Sequence, residues 1–334
     1  MNGFPLSRIL NRRFFFGSFG AGIIACSGFG WIGSEKFVVP NRRALEPRHE
    51  AALKAPEEFG FELSEAYSVT AGDGIALSCR LISPAKHPGA AVKTRRMRQR
   101  LGAGTSVRST VVMLHGRGGI KEDAFPVAER FVAAGFRCLI FDARAHGVSG
   151  GDFTTYGAKE VGDLRAVLDD AETRFGHETL GPFVGFGISL GAAVLLQALP
   201  EEPRLRSAVV VAPFADLPTV AQRSVANVIH PAMPRFLTGM VTTVGGIRAG
   251  FSPELISPVE SAARIRVPVM VAHGDRDRVI PMAEGRRVFE ALPENGINRW
   301  RPVPGGRHGD VLAVGNDDLY QEMIEFWIAN LGSN

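Results

Sequence analysis

Phe183-Val184-Gly185-Phe186-Gly187-Ile188-Ser189-Leu190-Gly191-Ala192-Ala193-Val194-Leu195-Leu196 decides how this chain is read. The first half is a short apolar run without a charge, as a buried strand requires, and the second half has the composition of a helix. Between them a serine has glycine two positions before it and two after. Small residues at those places let a strand turn sharply into a helix, which strains the serine backbone and pushes its hydroxyl out at the top of the sheet. The five-residue pattern is weak alone; the strand before it and the helix after it carry the reading.

Outward from this turn the same alternation repeats. Apolar or β-branched runs at Ile75 to Ile82, Thr110 to His115, Arg137 to Phe141, Ser207 to Val211, Val267 to His273 and Trp300 to Val303 read as strands. Segments with helical spacing separate them, at Asp123 to Ala134, Ala158 to Phe175, Leu190 to Leu199, Met282 to Ala291 and Leu319 to Leu331. The pattern predicts α/β architecture: a doubly wound, mostly parallel sheet with helices on both faces and reactive loops at the carboxyl ends of the strands. An apolar insertion over residues 216–258 follows the strand ending at Val211 and suits a small cap over that edge.

The chain of 334 residues is 45% hydrophobic and 22% charged, an ordinary globular composition. Its net charge of +4 is uneven: Lys86, Lys93, Arg95, Arg96, Arg98, Arg100 and Arg108 occupy a stretch without an acid. Residues 86–108 are read as a solvated loop, with anionic lipid headgroups as the alternative partner. Nucleic acid is not expected, because no aromatic residues interleave with the arginines to stack bases.

Residues 1–39 have the layout of an export signal or membrane anchor, with Arg12 and Arg13 ahead of an apolar, glycine-rich run from Phe14 to Gly33. Asn11-Arg12-Arg13-Phe14-Phe15-Phe16 resembles a twin-arginine motif, and Ile23-Ile24-Ala25-Cys26 resembles a lipoprotein processing site. Cleaved, lipidated or retained, such a segment puts the body outside the cytoplasm, periplasmic or membrane-anchored. Residues 40–64 read as a linker or arm, and 65–334 as the catalytic domain. Cys79 and Cys138, inside strand-like runs, read as buried free thiols.

The motifs resemble the α/β-hydrolase superfamily, on its esterase, lipase and serine aminopeptidase side. Gly187-Ile188-Ser189-Leu190-Gly191 is similar to the family's nucleophile elbow, and His273-Gly274-Asp275-Arg276-Asp277-Arg278-Val279-Ile280-Pro281 resembles its H-G-x-x-D-x-x-x-P segment. The resemblance implies Ser189 as nucleophile, Asp277 as the acid and, in Pro304-Gly305-Gly306-Arg307-His308, His308 as general base. Asp275 is the rival acid, read as a turn residue. Leu114-His115-Gly116-Arg117-Gly118-Gly119 is similar to the family's H-G-x-G loop, so the backbone N–H groups of Arg117 and Leu190 are the expected oxyanion hole. Asp142-Ala143-Arg144-Ala145-His146-Gly147-Val148-Ser149-Gly150-Gly151 resembles a structural segment of the family, with Ala145 where glycine is usual.

The expected activity is that of a serine hydrolase working through an acyl-enzyme on carboxylic esters, and the apolar cap suggests a hydrophobic acyl group. The expected partner is a small-molecule or lipid-like ester. Alternatives are a prolyl-type peptidase, an acyl-protein thioesterase and, in another class, a non-catalytic binding protein of the same fold. No cofactor is implied, and no H-E-x-x-H or paired C-x-x-C suggests a metal.

Overall fold

The computed structural model describes residues 30–87, 91–102, 109–228 and 235–331. Arg12, Arg13, Cys26, Arg108, Pro231 and Pro234 lie outside the described residues. Among the described residues no helix is long and apolar enough to cross a membrane.

Among the described residues nine strands form one sheet: β1 (Phe61–Leu63), β2 (Tyr67–Thr70), β3 (Ala76–Pro84), β4 (Thr110–Leu114), β5 (Arg137–Phe141), β6 (Phe183–Ile188), β7 (Leu205–Val211), β8 (Val269–Gly274) and β9 (Arg299–Val303). Their order is β1-β3-β5-β4-β6-β7-β8-β9, with β2 also paired to β3. From β5 to β9 every pairing is parallel, whereas β3 runs antiparallel to β1, β2 and β5. The central strands β4 to β8 are buried on both faces, as their largely apolar sequences require. In β4, Val112 and Leu114 join one core and Val111 and Met113 the other, the two-residue period of a pleated strand.

The helices are α1 (residues 30–38), α2 (Pro47–Lys54), α3 (Val92–Leu101), α4 (Phe125–Phe131), α5 (Glu160–Phe175), α6 (His177–Leu180) and α7 (Leu190–Ala198), followed by α8 (Leu217–Val228), α9 (Arg235–Ala249), α10 (Pro258–Ala262), α11 (Met282–Ala291) and α12 (Val311–Leu331). The segment after β7 carries α8 and α9. Gly185 lets α7 lie close on β6, since a Cβ there would stand 2.7 Å from a Leu195 methyl. The chain reverses direction across the sheet at β4, which has β5 on one side and β6 on the other. Their carboxyl ends therefore flank the crevice in which such sheets bind ligands.

The structure departs from the sequence reading in four places. Residues 86–108 are not simply a solvated loop: α3 docks on the body with Met97 fully buried, and Thr94 donates to the Glu129 carbonyl at 2.9 Å. Its cations meet acids distant in the chain, Lys93 with Glu129, Arg96 with Asp317 and Arg100 with Asp318. The arm 40–64 contains α2 and the edge strand β1, whose Phe61 is fully buried. A short helical stretch from Val311, which the sequence reading lacked, precedes the break at Asn316; the last helix resumes just after it, close to the expected start at Leu319. Finally, α1 and Val39 belong to the folded body, because Phe37 and Val38 are part of its core.

Candidate active site

Ser189 sits between the last residue of β6 and the first of α7 with φ 54° and ψ −115°, a conformation unfavourable for any side chain but glycine. The flanking glycines make it attainable. A Cβ on Gly187 would stand 2.5 Å from the Gly191 carbonyl oxygen, and one on Gly191 would run into the carbonyl of Leu114. The turn is pinned by the Ser189 N–H donating to the Val211 carbonyl at 2.8 Å.

His308 reaches this serine from the loop between β9 and α12. The Ser189 hydroxyl is 2.9 Å from His308 Nε2, and His308 Nδ1 is 2.7 Å from Asp277 Oδ2. With the carboxylate on one nitrogen, the ring carries its proton on Nδ1 and offers Nε2 as an acceptor to the serine O–H. Asp277 follows β8, and its other oxygen accepts the N–H groups of Val279 and Ile280 at 2.9 Å each. Burial pushes this carboxyl up, but hydrogen bonds from His273 and His308 and the Ile280 N–H outweigh it and hold Asp277 well below the usual carboxylate range. Asp275 is exposed and accepts the Gly305 N–H at 2.7 Å, a turn contact away from His308.

The glycine-rich loop after β4 lies against the serine, with a Cβ on Gly116 falling 3.4 Å from Ser189 Cβ. His115 fixes its direction. The Ala143 N–H donates to His115 Nε2 at 3.0 Å, so the ring proton is on Nδ1, which donates to the Gly116 carbonyl at 2.8 Å. That carbonyl also accepts the Gly119 N–H at 3.0 Å. In a trans peptide the carbonyl and the following N–H point oppositely, so the Arg117 N–H is turned away from this interior network. Leu190 is the first residue of α7, where an N–H has no partner in a preceding turn. The two expected oxyanion donors thus flank the serine on adjacent strand ends. Burial lowers the His115 pKa and keeps the ring neutral in this supporting place.

The segment after β5 braces the loop. Asp142 accepts the Lys121 N–H at 2.7 Å and the Lys121 ammonium at 3.0 Å, both residues being buried. The Arg144 guanidinium pairs with Asp163 at 2.6 Å and Asp73 at 2.9 Å.

Two cavities meet at Ser189 and His308. One, of ≈ 370 Å³, is mixed in character, with Arg43, Arg48 and Asp123 beside the glycine loop and Met113, Val127, Phe186, Ile188 and Leu312 as apolar lining. The other, of ≈ 350 Å³, is apolar and lies under α8 and α9, lined by Tyr156, Phe214, Leu217, Val220 and Val241 among others. Sequence reasoning did not single out His273, whose Nε2 is 3.4 Å from Asp277, nor the cavity wall supplied by α1. His273 stands in the same motif as Asp277, which was the available signal for it; α1 gave none.

The family described as "Serine aminopeptidase, S33" matches residues 105–249, a span that contains the glycine loop and the elbow and ends before Asp277 and His308. A monoacylglycerol lipase of Mycolicibacterium smegmatis is 26% identical over 259 residues, covering 68% of this chain and 90% of the lipase. The uncharacterized protein YqkD of Bacillus subtilis is 26% identical, over 68% of this chain and 73% of its own. Among solved structures, the Pyrococcus furiosus esterase Pf2001 superposes with a TM-score of 0.66 at 22% identity, over 88% of this chain and 100% of the esterase. The chain has the α/β-hydrolase fold.

Proposed function

We propose that this protein is a serine hydrolase that cleaves carboxylic esters bearing a hydrophobic acyl group through an acyl-enzyme. The observation that carries the reading is the unbroken line from the Ser189 hydroxyl through His308 to Asp277, at 2.9 and 2.7 Å, on a strained strand-to-helix turn. A serine hydroxyl attacks only when a base takes its proton, and His308 Nε2 is within reach to do so. Ser189 Oγ adds to the ester carbonyl while its proton passes to His308, and the ionised Asp277 stabilises the imidazolium. The Arg117 and Leu190 N–H groups receive the oxyanion, a contribution of ~10²–10³-fold per donor. His308 returns the proton to the leaving alcohol, and water activated by the same nitrogen releases the acid.

The more apolar cavity supports assignment of the acyl group to the α8–α9 side, which leaves the mixed cavity beside the glycine loop for the alcohol. The likeness to a monoacylglycerol lipase favours esters, while the description of the matched family favours peptide substrates as the second reading. Export of the body is part of the same proposal and rests on Arg12 and Arg13; a fusion of residues 1–39 to a reporter that needs the twin-arginine route tests it.

The test is fluorophosphonate labelling of the full chain and of Ser189→Ala, with p-nitrophenyl esters and aminoacyl p-nitroanilides as substrates. Labelling and ester turnover lost in Ser189→Ala support the proposal. Faster anilide than ester turnover moves it to a peptidase, and folded wild type with neither activity moves it to a binding protein.

A further inference from the structure

The apolar cavity has a wall from outside the segment that carries the catalytic motifs. Gly33, Lys36 and Phe37 of α1 line it together with Val220 of α8 and Val241 of α9. This wall is built in. A Cβ on Gly33 would stand 2.5 Å from a Val241 methyl, so α1 and α9 are in close contact. Phe37 stacks on Tyr156 with ring centroids 5.1 Å apart.

Polar contacts fasten the carboxyl end of α1 to the site. The Tyr156 hydroxyl donates to the Phe37 carbonyl at 2.6 Å, and the Thr154 N–H to that of Val38 at 2.8 Å. The Arg117 guanidinium donates to the carbonyls of Lys36, Phe37 and Val39 at 2.6, 3.3 and 3.1 Å. A cation is favoured at that end of a helix, where unpaired carbonyls concentrate negative charge. Midway along α1, Arg248 of α9 donates to Ser34 Oγ at 2.8 Å. Arg117 thus has two attachments: its backbone borders Ser189 and its side chain holds the helix that closes the cavity.

We propose that α1 is the outer wall of the acyl pocket, that Phe37 sets the length of acyl chain accepted, and that Arg117 is a positioning residue tying this wall to the oxyanion loop. The inference rests on the acyl-enzyme reading above. A cavity of ≈ 350 Å³ is near the small end of ligand sites, so it fits a medium-length acyl chain rather than a whole lipid. Loss of the Phe37 ring opens the far wall and leaves the reacting atoms in place. Loss of the Arg117 guanidinium frees the loop from the wall while retaining the backbone N–H.

The experiment measures kcat and KM of the full chain on p-nitrophenyl acetate, butyrate, octanoate and laurate, for wild type, Phe37→Ala, Phe37→Leu, Arg117→Met and Arg117→Lys, with thermal unfolding of each. Phe37→Ala is expected to raise the laurate-to-acetate ratio of kcat/KM about tenfold, the order of discrimination that a change in an apolar pocket supplies, with Phe37→Leu between it and wild type. Arg117→Met is expected to lower kcat on all four esters about tenfold with a smaller change in KM, as a mispositioned oxyanion donor would, and Arg117→Lys to recover part of it. Should Phe37→Ala fail to fold, Phe37→Leu decides by itself. A chain-length profile unchanged in a folded Phe37 variant overturns the proposal, as does an Arg117→Met that alters only stability.

If wild type neither hydrolyses an ester nor takes a fluorophosphonate, the acyl-enzyme reading fails separately, and cis-parinaric acid binding judges the wall. Affinity altered fivefold or more in a folded Phe37 variant retains the pocket wall; no binding, or a smaller change, overturns it.

Discussion

Asp277 holds His308 with one oxygen and two backbone N–H groups with the other, His308 Nδ1 at 2.7 Å from Oδ2 and the Val279 and Ile280 N–H groups at 2.9 Å from Oδ1. The second set fixes the carboxylate plane, so the first oxygen has one direction in which to hold the ring. In Asp277→Asn the amide can occupy that position but favours the tautomer with its proton on Nε2, which can no longer accept from Ser189. The expected result is a fall in kcat of about 10⁴-fold with KM little changed. Asp275→Asn keeps an acceptor for the Gly305 N–H and is expected to leave kcat within a small factor of wild type. A greater loss in Asp275→Asn than in Asp277→Asn would reverse the assignment of the acid.

Gly191 is constrained from outside its own helix. Any Cβ there points into the carbonyls of Leu114 and His115, the backbone that leads into the glycine loop. Gly191→Ala is therefore expected to destabilise the protein by about 1–3 kcal/mol, the usual result of overpacking a dense interior. It should also slow fluorophosphonate labelling of whatever remains folded. Gly162, whose Cβ would meet nothing within 4 Å, is the control in the first turn of α5, where alanine should stabilise slightly. Urea unfolding of the two variants side by side separates a steric clash from an effect of helix propensity.

The two glycines around Ser189 explain why the fold could be read from one stretch: the turn needs small residues at those positions for steric reasons, so local sequence records a tertiary constraint. Asp277 was accessible only through the resemblance of the whole His273–Pro281 segment, because a lone aspartate carries no such record. The docking of α3 was hidden for a different reason. Its basic residues face acids 36 and 221 positions away, and its burial depends on Met97 and Thr94 among five cations, which leaves little local periodicity. In α1 the apolar composition is continuous with that of the run before it, and only the contacts of Phe37 and Val38 with the body distinguish a pocket wall from the tail of a leader.

His115 and His146 predict the acid side of the stability curve. Burial lowers both, and His146, whose ring packs on His115 at 5.0 Å, falls to about 3. A histidine with a depressed folded pKa contributes stability that is complete above its unfolded value of 6.5 and is lost as pH falls toward the folded one. Each such proton lowers stability by about 1.4 kcal/mol per pH unit in that window. Between pH 7.5 and 5.0, wild type should therefore lose roughly 2 kcal/mol more than His146→Phe in urea unfolding. Equal losses in the two proteins would mean that His146 is protonated in the folded state.

Lys121 and Asp142 form the buried pair that ties the glycine loop to the segment after β5, at 3.0 Å between charges and 2.7 Å from the Lys121 N–H. Lys121 is 5% exposed and Asp142 1%, so removing one partner strands a charge in a place water does not reach. Lys121→Met is expected to destabilise the protein by about 3–5 kcal/mol. Lys121 also meets the buried Glu122 at 3.1 Å, so Asp142→Asn combined with Lys121→Met removes one of the two stranded carboxylates while leaving an oxygen for the backbone donors. The double variant should then be more stable than Lys121→Met alone, by at least about 1 kcal/mol of coupling. Ester turnover measured on the same proteins extends the test from stability to the oxyanion loop. If the pair acts through that loop, kcat falls in Lys121→Met even at temperatures where the variant is fully folded, and the double variant regains part of it.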